Sequence, residues 1–190
     1  MVSQVDIVNL ALIEVGSIRI ADPDEEGKGP ENVKIVFPMM RDAVLRAHPW
    51  NFAMARKQVP AKIEAPPFGF RYKYDLPSTP HCLRVHRIGD FEERIAFQVE
   101  GREILTDAPP PINLRYIGQV TDLSRFDALF TVTLGARIGA TIANSIDDSA
   151  SLARDLWDLY VAKLREARNI DAQEGTPEEF FHDDFLASRV

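Results

Sequence analysis

The stretch INLRYIGQVTDLSRFDALFTVTLGARIGATI, Ile112–Ile142, changes its apolar period halfway along. Ile112, Leu114 and Tyr116 alternate with Asn113 and Arg115, the period of two expected of a strand with one buried face. After Thr121-Asp122 the spacing lengthens. Phe126, Leu129, Phe130, Leu134, Ile138 and Ile142 fall at threes and fours, which stacks them along one side of a helix. Between them Gly135, Ala136, Gly139, Ala140 and Ala143 are small enough to let a second helix approach closely. A strand running straight into a long helix makes the chain mixed in class, and the flanking sequence sets the proportions.

Upstream of this stretch the period of two persists. Pro109-Pro110-Pro111 is extended and excludes helix. Phe97, Val99, Glu100-Gly101 and Ile104 predict a hairpin, although Glu-Gly is a poorer turn than Asn-Gly. Phe68, Phe70, Tyr72 and Tyr74 alternate with Gly69, Arg71 and Lys73, a half-buried strand, and Leu83 and Val85 repeat the pattern more weakly. Residues 68–120 are therefore expected to form a small antiparallel sheet.

Both ends of the chain return to helical spacing. Val5, Val8, Leu12 and Val15 predict a helix over 3–15, with Ser3 as N-cap, Asp6 in a weak capping-box position and Gly16 as the stop. Residues 19–31, rich in Asp, Glu, Gly and Pro, read as a loop. Val33, Val36, Phe37, Met40 and Val44 predict a second helix, kinked at Pro38 or starting near Phe37, that ends at His48-Pro49. Asp147-Asp148-Ser149 is expected to cap a last helix whose buried face holds Ala153, Trp157, Tyr160, Leu164 and Ala167, widened by Leu152, Leu156 and Leu159. The expected fold is α+β, mainly α. A four-helix body is built from residues 1–60 and 121–174, a small antiparallel β-sheet is inserted between helices 2 and 3 at 61–120, and an extended C-terminal tail follows at 175–190.

Composition narrows the function classes. The 190 residues are 45% apolar and 27% charged, ordinary for a folded domain, with no internal repeat. No stretch is expected to reach the roughly 20 apolar residues that span a bilayer, and the acidic Asp6 near the start argues against a secretory signal, so synthesis in the cytoplasm is expected. Cys82 is the only cysteine, which excludes an intrachain disulfide. The net charge of −7 disfavours strong binding to a phosphate backbone, yet it suits a passage through which DNA must slide without adhering.

Several constellations resemble reaction centres, and each has a plainer explanation. Asp22 to Gly27 begins like a calcium loop, but the twelfth position, where a bidentate Glu belongs, holds Val33. Gly27-Lys28-Gly29 lacks the spacing of a phosphate loop. His81, Cys82 and His86 are the best metal candidates, without an apparent fourth ligand. Cys82 with His48 or His182, or the pairs Asp147-Asp148 and Asp183-Asp184, would be needed for a small Cys- or metal-dependent hydrolase. A buried thiol, a helix cap and a solvated tail explain the same residues. Trp50, Phe52, Phe68, Phe70, Tyr72 and Tyr74, with Arg56, Lys57, Arg71 and Lys73, offer a base-stacking platform for single-stranded nucleic acid, against which stands packing in a core or a subunit interface. No catalytic, cofactor or metal residue is assigned.

One ordered set of residues resembles a known family. Arg41 to Ala53, centred on His48-Pro49-Trp50-Asn51-Phe52 and followed by Arg56, is similar to a block of the tail tubular protein A-like head-to-tail adaptors of short-tailed bacteriophages. Phe68-Gly69-Phe70, Tyr72-Lys73-Tyr74-Asp75-Leu76-Pro77, Cys82-Leu83-Arg84-Val85, Val99-Glu100-Gly101, Ile104-Leu105-Thr106, Leu114-Arg115-Tyr116-Ile117 and Asp127-Ala128-Leu129-Phe130 continue it in order, over roughly residues 3–172. The resemblance implies a structural virion protein, with no enzymatic activity, that forms a ring of twelve copies under the portal protein. That ring would extend the channel through which DNA passes without sequence-specific binding, and would receive the tail nozzle protein, away from any membrane. His48, Pro49, Trp50, Phe52, Tyr72, Tyr74, Leu76 and Pro77 are then pattern residues of the framework. The tail departs from the family pattern. Its Phe180, Phe181, Phe185 and Leu186 are too apolar for a free coil and are expected to order on the portal.

Overall fold

Ser3 starts the first helix, α1 (Gln4–Glu14), by a reciprocal pair of bonds: its hydroxyl accepts the Asp6 N–H at 3.2 Å and the Asp6 carboxylate accepts the Ser3 N–H at 2.8 Å. Gly16, at φ +68°, lets the chain turn away. These details come from a computed structural model that describes residues 2–22, 25, 27–90, 95–147 and 150–174. Four helices and six strands follow in the order α1, α2 (Lys28–Ala47), β1 (Met54–Val59), β2 (Tyr72–Asp75), β3 (Cys82–Ile88), β4 (Phe97–Glu100), β5 (Glu103–Thr106), β6 (Ile112–Gly118), α3 (Ala128–Asp147) and α4 (Ala150–Gln173). The chain is α+β and mainly α, with the strands inserted between α2 and α3.

The second helix departs from expectation at its start. It begins at Lys28 rather than after the acidic loop, with Gly29 and Pro30 in its first turn, where the missing proline N–H would have had no helical partner. Pro38 lies inside this one helix at an exposed position, which excludes a start near Phe37.

α3 is the hub of the body and packs against α1, α2 and α4. Asp127 caps it, accepting the N–H groups of Leu129 at 2.8 Å and Phe130 at 3.2 Å. The predicted small residues set its closest approach. A Cβ at Gly135 would stand 2.8 Å from Leu10 Cβ, and one at Gly139 would stand 3.3 Å from the Ala11 carbonyl oxygen. Contrary to the expectation for the sequence, Ala128–Ile146 is long and apolar enough to cross a membrane by composition, but 56% of it is buried, because three helices surround it. In α4 the buried stripe is Leu156, Tyr160 and Ala167. Trp157, expected to be buried, is 45% exposed, with the Arg137 guanidinium of α3 4.5 Å from its ring centre. Of the expected Asp147-Asp148-Ser149 cap, Asp148 and Ser149 lie outside the described residues.

The insert is two three-stranded antiparallel sheets rather than one, ordered β1-β6-β3 and β2-β5-β4. Its first strand, Met54–Val59, falls inside the stretch assigned above to the helical body. Arg56, Lys57 and Gln58 are all exposed, so this strand carries no apolar alternation there. The sheets share a core of Val59, Tyr74, Cys82, Ile88, Ile104, Ile112, Leu114 and Tyr116. Gly101, at φ +57°, opens the predicted β4–β5 hairpin, in which Glu100 pairs with Glu103. The expected strand through Phe68 and Phe70 starts only at Tyr72. Gly69 at φ +89° breaks the extended run, and Phe68 is 86% exposed.

Candidate interaction surfaces

The block His48 to Phe52 is a junction between the ends of α2 and α4 and the start of α3. Trp50 is fully buried and donates its indole N–H to the Val44 carbonyl at 2.9 Å, closing the end of α2. Its ring meets those of His48 and Phe130 edge-on at 4.9 and 5.2 Å, and Phe52 packs on Phe126 and Phe130. Pro49, half-buried, holds His48 in the extended conformation that stops the helix. From α4, Asp171 accepts the His48 Nε2–H at 3.0 Å and the Asn51 backbone N–H at 3.1 Å, while the Asn51 amide donates to the Asp171 carbonyl at 2.7 Å. His48 Nδ1 is buried with no partner among the described residues, and burial depresses the imidazole pKa against the opposing pull of Asp171.

In the insert, Tyr74 is fully buried and donates its hydroxyl to the Ala108 carbonyl at 2.6 Å, with the Tyr72 ring 6.5 Å away. Leu76 donates its N–H to the Arg102 carbonyl, and the Pro77 carbonyl accepts from Arg102 Nη2 at 3.0 Å. The six aromatic residues considered as a stacking platform are therefore split. Trp50 and Phe52 belong to the helical core, Tyr74 to the insert, and Phe68 stands apart, so they present no common face to bases. Cys82 is buried, and that burial pushes its thiol pKa up, opposing the thiolate that a nucleophile or soft-metal ligand requires. His48 is engaged by Asp171, while His182, Asp183 and Asp184 lie outside the described residues. Val33, at the twelfth place of the calcium-like loop, is a fully buried core residue. Phe180, Phe181, Phe185 and Leu186 also lie outside the described residues.

Two surfaces were not singled out by the sequence. One is apolar and divided. Ile35 and Met39, 69% and 57% exposed, form an i, i+4 pair on the outside of α2, and Trp157 with Val161 forms another on the outside of α4. The second surface is basic. In the β1-β6-β3 sheet, Arg56 pairs with Arg115, and Arg115 pairs with Arg87, so three arginines form one row across three strands. They edge a groove of about 470 Å³ together with Lys57 and, among the described residues, one carboxylate, Asp90. Arg84 lies on the same face beside Ile117. Burial lowers its pKa first, and the nearby Arg46 and Arg168 lower it further. Only the strand register brings these arginines together, and period-two reading of each strand alone does not supply it.

No family model and no curated protein matches the chain.

Proposed function

We propose that the chain is a structural protein that assembles head-to-tail into a closed ring, in the manner of the portal-docking adaptors of short-tailed bacteriophages. The observation that carries this reading is the pair of separate apolar patches, Ile35 with Met39 on α2 and Trp157 with Val161 on α4. A contact that repeats around a rotation axis needs two different faces on each copy, and closure of the rotation gives a ring. α2 and α4 each pack on α3, so the two patches sit on different helices of the body. The ordered sequence resemblance supports the same reading, and it adds the portal above, the nozzle below and DNA passing through. Within it, Phe180, Phe181, Phe185 and Leu186 seat the ring on the portal, and the work is done by surfaces, without a chemical step.

Light scattering and negative-stain imaging of the purified protein, with and without a portal ring, test the proposal. A defined ring on the portal is expected, and its docking weakens when residues 176–190 are removed. A chain that ignores the portal, or that turns over a substrate, overturns it.

A further inference from the structure

The arginine row is unusual on a chain whose net charge is −7. Arg56 is exposed, and Arg87 and Arg115 are half-exposed along one face of the sheet. Successive antiparallel strands lie about 4.8 Å apart, so the row presents guanidinium groups at a pitch that matches closely spaced carboxylates. We propose that this face is the docking site for the chain's own acidic C-terminal segment, with Glu178, Glu179, Asp183 and Asp184 against Arg56, Arg115 and Arg87.

Position, reach and charge support this occupant. Asp171 is bonded to Asn51, five residues before Arg56, so the chain leaves α4 beside the base of the arginine face. From Gln173, the last residue of α4, to Glu178 is five residues, up to about 17 Å when extended at ~3.3 Å each, and the five residues from Asn51 to Arg56 span at most about 17 Å. Arg168 of α4 stands close enough to Arg84, on the arginine face, for its charge to act on that guanidinium. A segment tethered this closely is present at millimolar effective concentration, whereas a nucleic-acid backbone must arrive from solution against the repulsion of an acidic chain. The contact belongs to the subunit on its own, before a ring partner offers the same tail an apolar seat.

Lys57 pairs with Leu114 and so lies on the opposite face of β1 from Arg56, whereas Arg56→Lys puts an amine into the row itself and supplies the test on the full-length chain. A water-soluble carbodiimide joins a lysine amine to a carboxylate in contact with it, with loss of water. Applied to an equal mixture of light and heavy-isotope Arg56→Lys chains, followed by peptide mass spectrometry, it is expected to link residue 56 to Glu178, Glu179, Asp183 or Asp184 within chains of one isotope. Links should fall about fivefold or more when salt is raised from 0.05 to 1 M, since the screening length shrinks to about 3 Å, and likewise when Arg87→Glu is added at the other end of the row. Absence of these links, links confined to mixed-isotope pairs, or links indifferent to salt and to Arg87→Glu overturns the proposal. So does tight binding of a duplex oligonucleotide through Arg56 and Arg115 that the variant Glu178→Gln/Glu179→Gln/Asp183→Asn/Asp184→Asn leaves unchanged, because a seated tail must compete.

Discussion

His48 Nε2 lies 3.0 Å from Asp171 Oδ2, so the residue that stops the second helix is held by the last turns of the fourth. The carboxylate can only accept, so neutral His48 carries its proton on Nε2 and leaves Nδ1 bare. Adding a proton to Nδ1 would bury a donor with no partner among the described residues, which is why burial outweighs the attraction of Asp171.

A pH dependence of stability follows with a definite sign. The His48 pKa is lower in the folded chain than the ordinary 6.5, so the unfolded chain binds more protons in the window between the two values. Stability is fully present above pH 6.5 and is lost as the pH falls from there towards the folded value. Denaturant midpoints measured from pH 7.5 to 5.5 should decline, and His48→Gln should decline less steeply than wild type over that window. Arg84 and Arg168, both close to His48, add to the depression.

Asp171→Ala should destabilise the chain by about 2 kcal/mol, the usual cost of losing hydrogen bonds to a charged group, because both His48 Nε2–H and the Asn51 backbone N–H lose their acceptor. Urea unfolding measures this, and a loss below 0.5 kcal/mol would show that the junction holds without the carboxylate.

Trp50→Ala should cost about 3–5 kcal/mol, the range for emptying a buried indole site. Trp50→Phe keeps the edge-on contact with Phe130 but forfeits the bond to Val44, and should cost less. Equal losses in the two variants would mean that the bond, and not the ring, dominates.

Gly135→Ala places a methyl 2.8 Å from Leu10 Cβ and should destabilise by about 1–3 kcal/mol through overpacking between α1 and α3. Adding Leu10→Ala leaves the Cβ in place, so it should recover only a part, whereas Leu10→Gly should recover more at the contact itself. A double-mutant cycle with no coupling would contradict the close approach.

The two apolar patches predict a mixing experiment. Ile35→Asp/Met39→Asp removes one face and Val161→Asp the other, and neither variant should form rings alone. Mixed in equal amounts, they retain one compatible contact per pair and should give heterodimers without rings, detectable by native mass spectrometry. Rings formed by either variant alone would place the contact elsewhere.

Much of the helical architecture was legible because its signals are local. Ser3 with Asp6 and Gly16 fixed both ends of α1, and Gly135 with Gly139 announced the close helix contact. What was not legible depended on distant partners. Gly29-Pro30 reads as a turn unless it is known that the first turn of α2 needs no donors there. Met54–Val59 reads as part of the helical body until β6 pairs with it, and the arginine row exists only in the register Arg56–Arg115–Arg87. Trp157 fits the apolar stripe by spacing alone, yet it stands 45% exposed with the Arg137 guanidinium of the neighbouring helix on its ring.

Met54 and Ile117 are paired, so the insert enters and leaves the body through two adjoining strands. A module spliced in at two points this close leaves its host's connectivity almost undisturbed. Its outward loops can lengthen, shorten or change sign over generations while the helices beneath keep their own contacts, which lets one half of the molecule be refitted to new neighbours at little cost to the other.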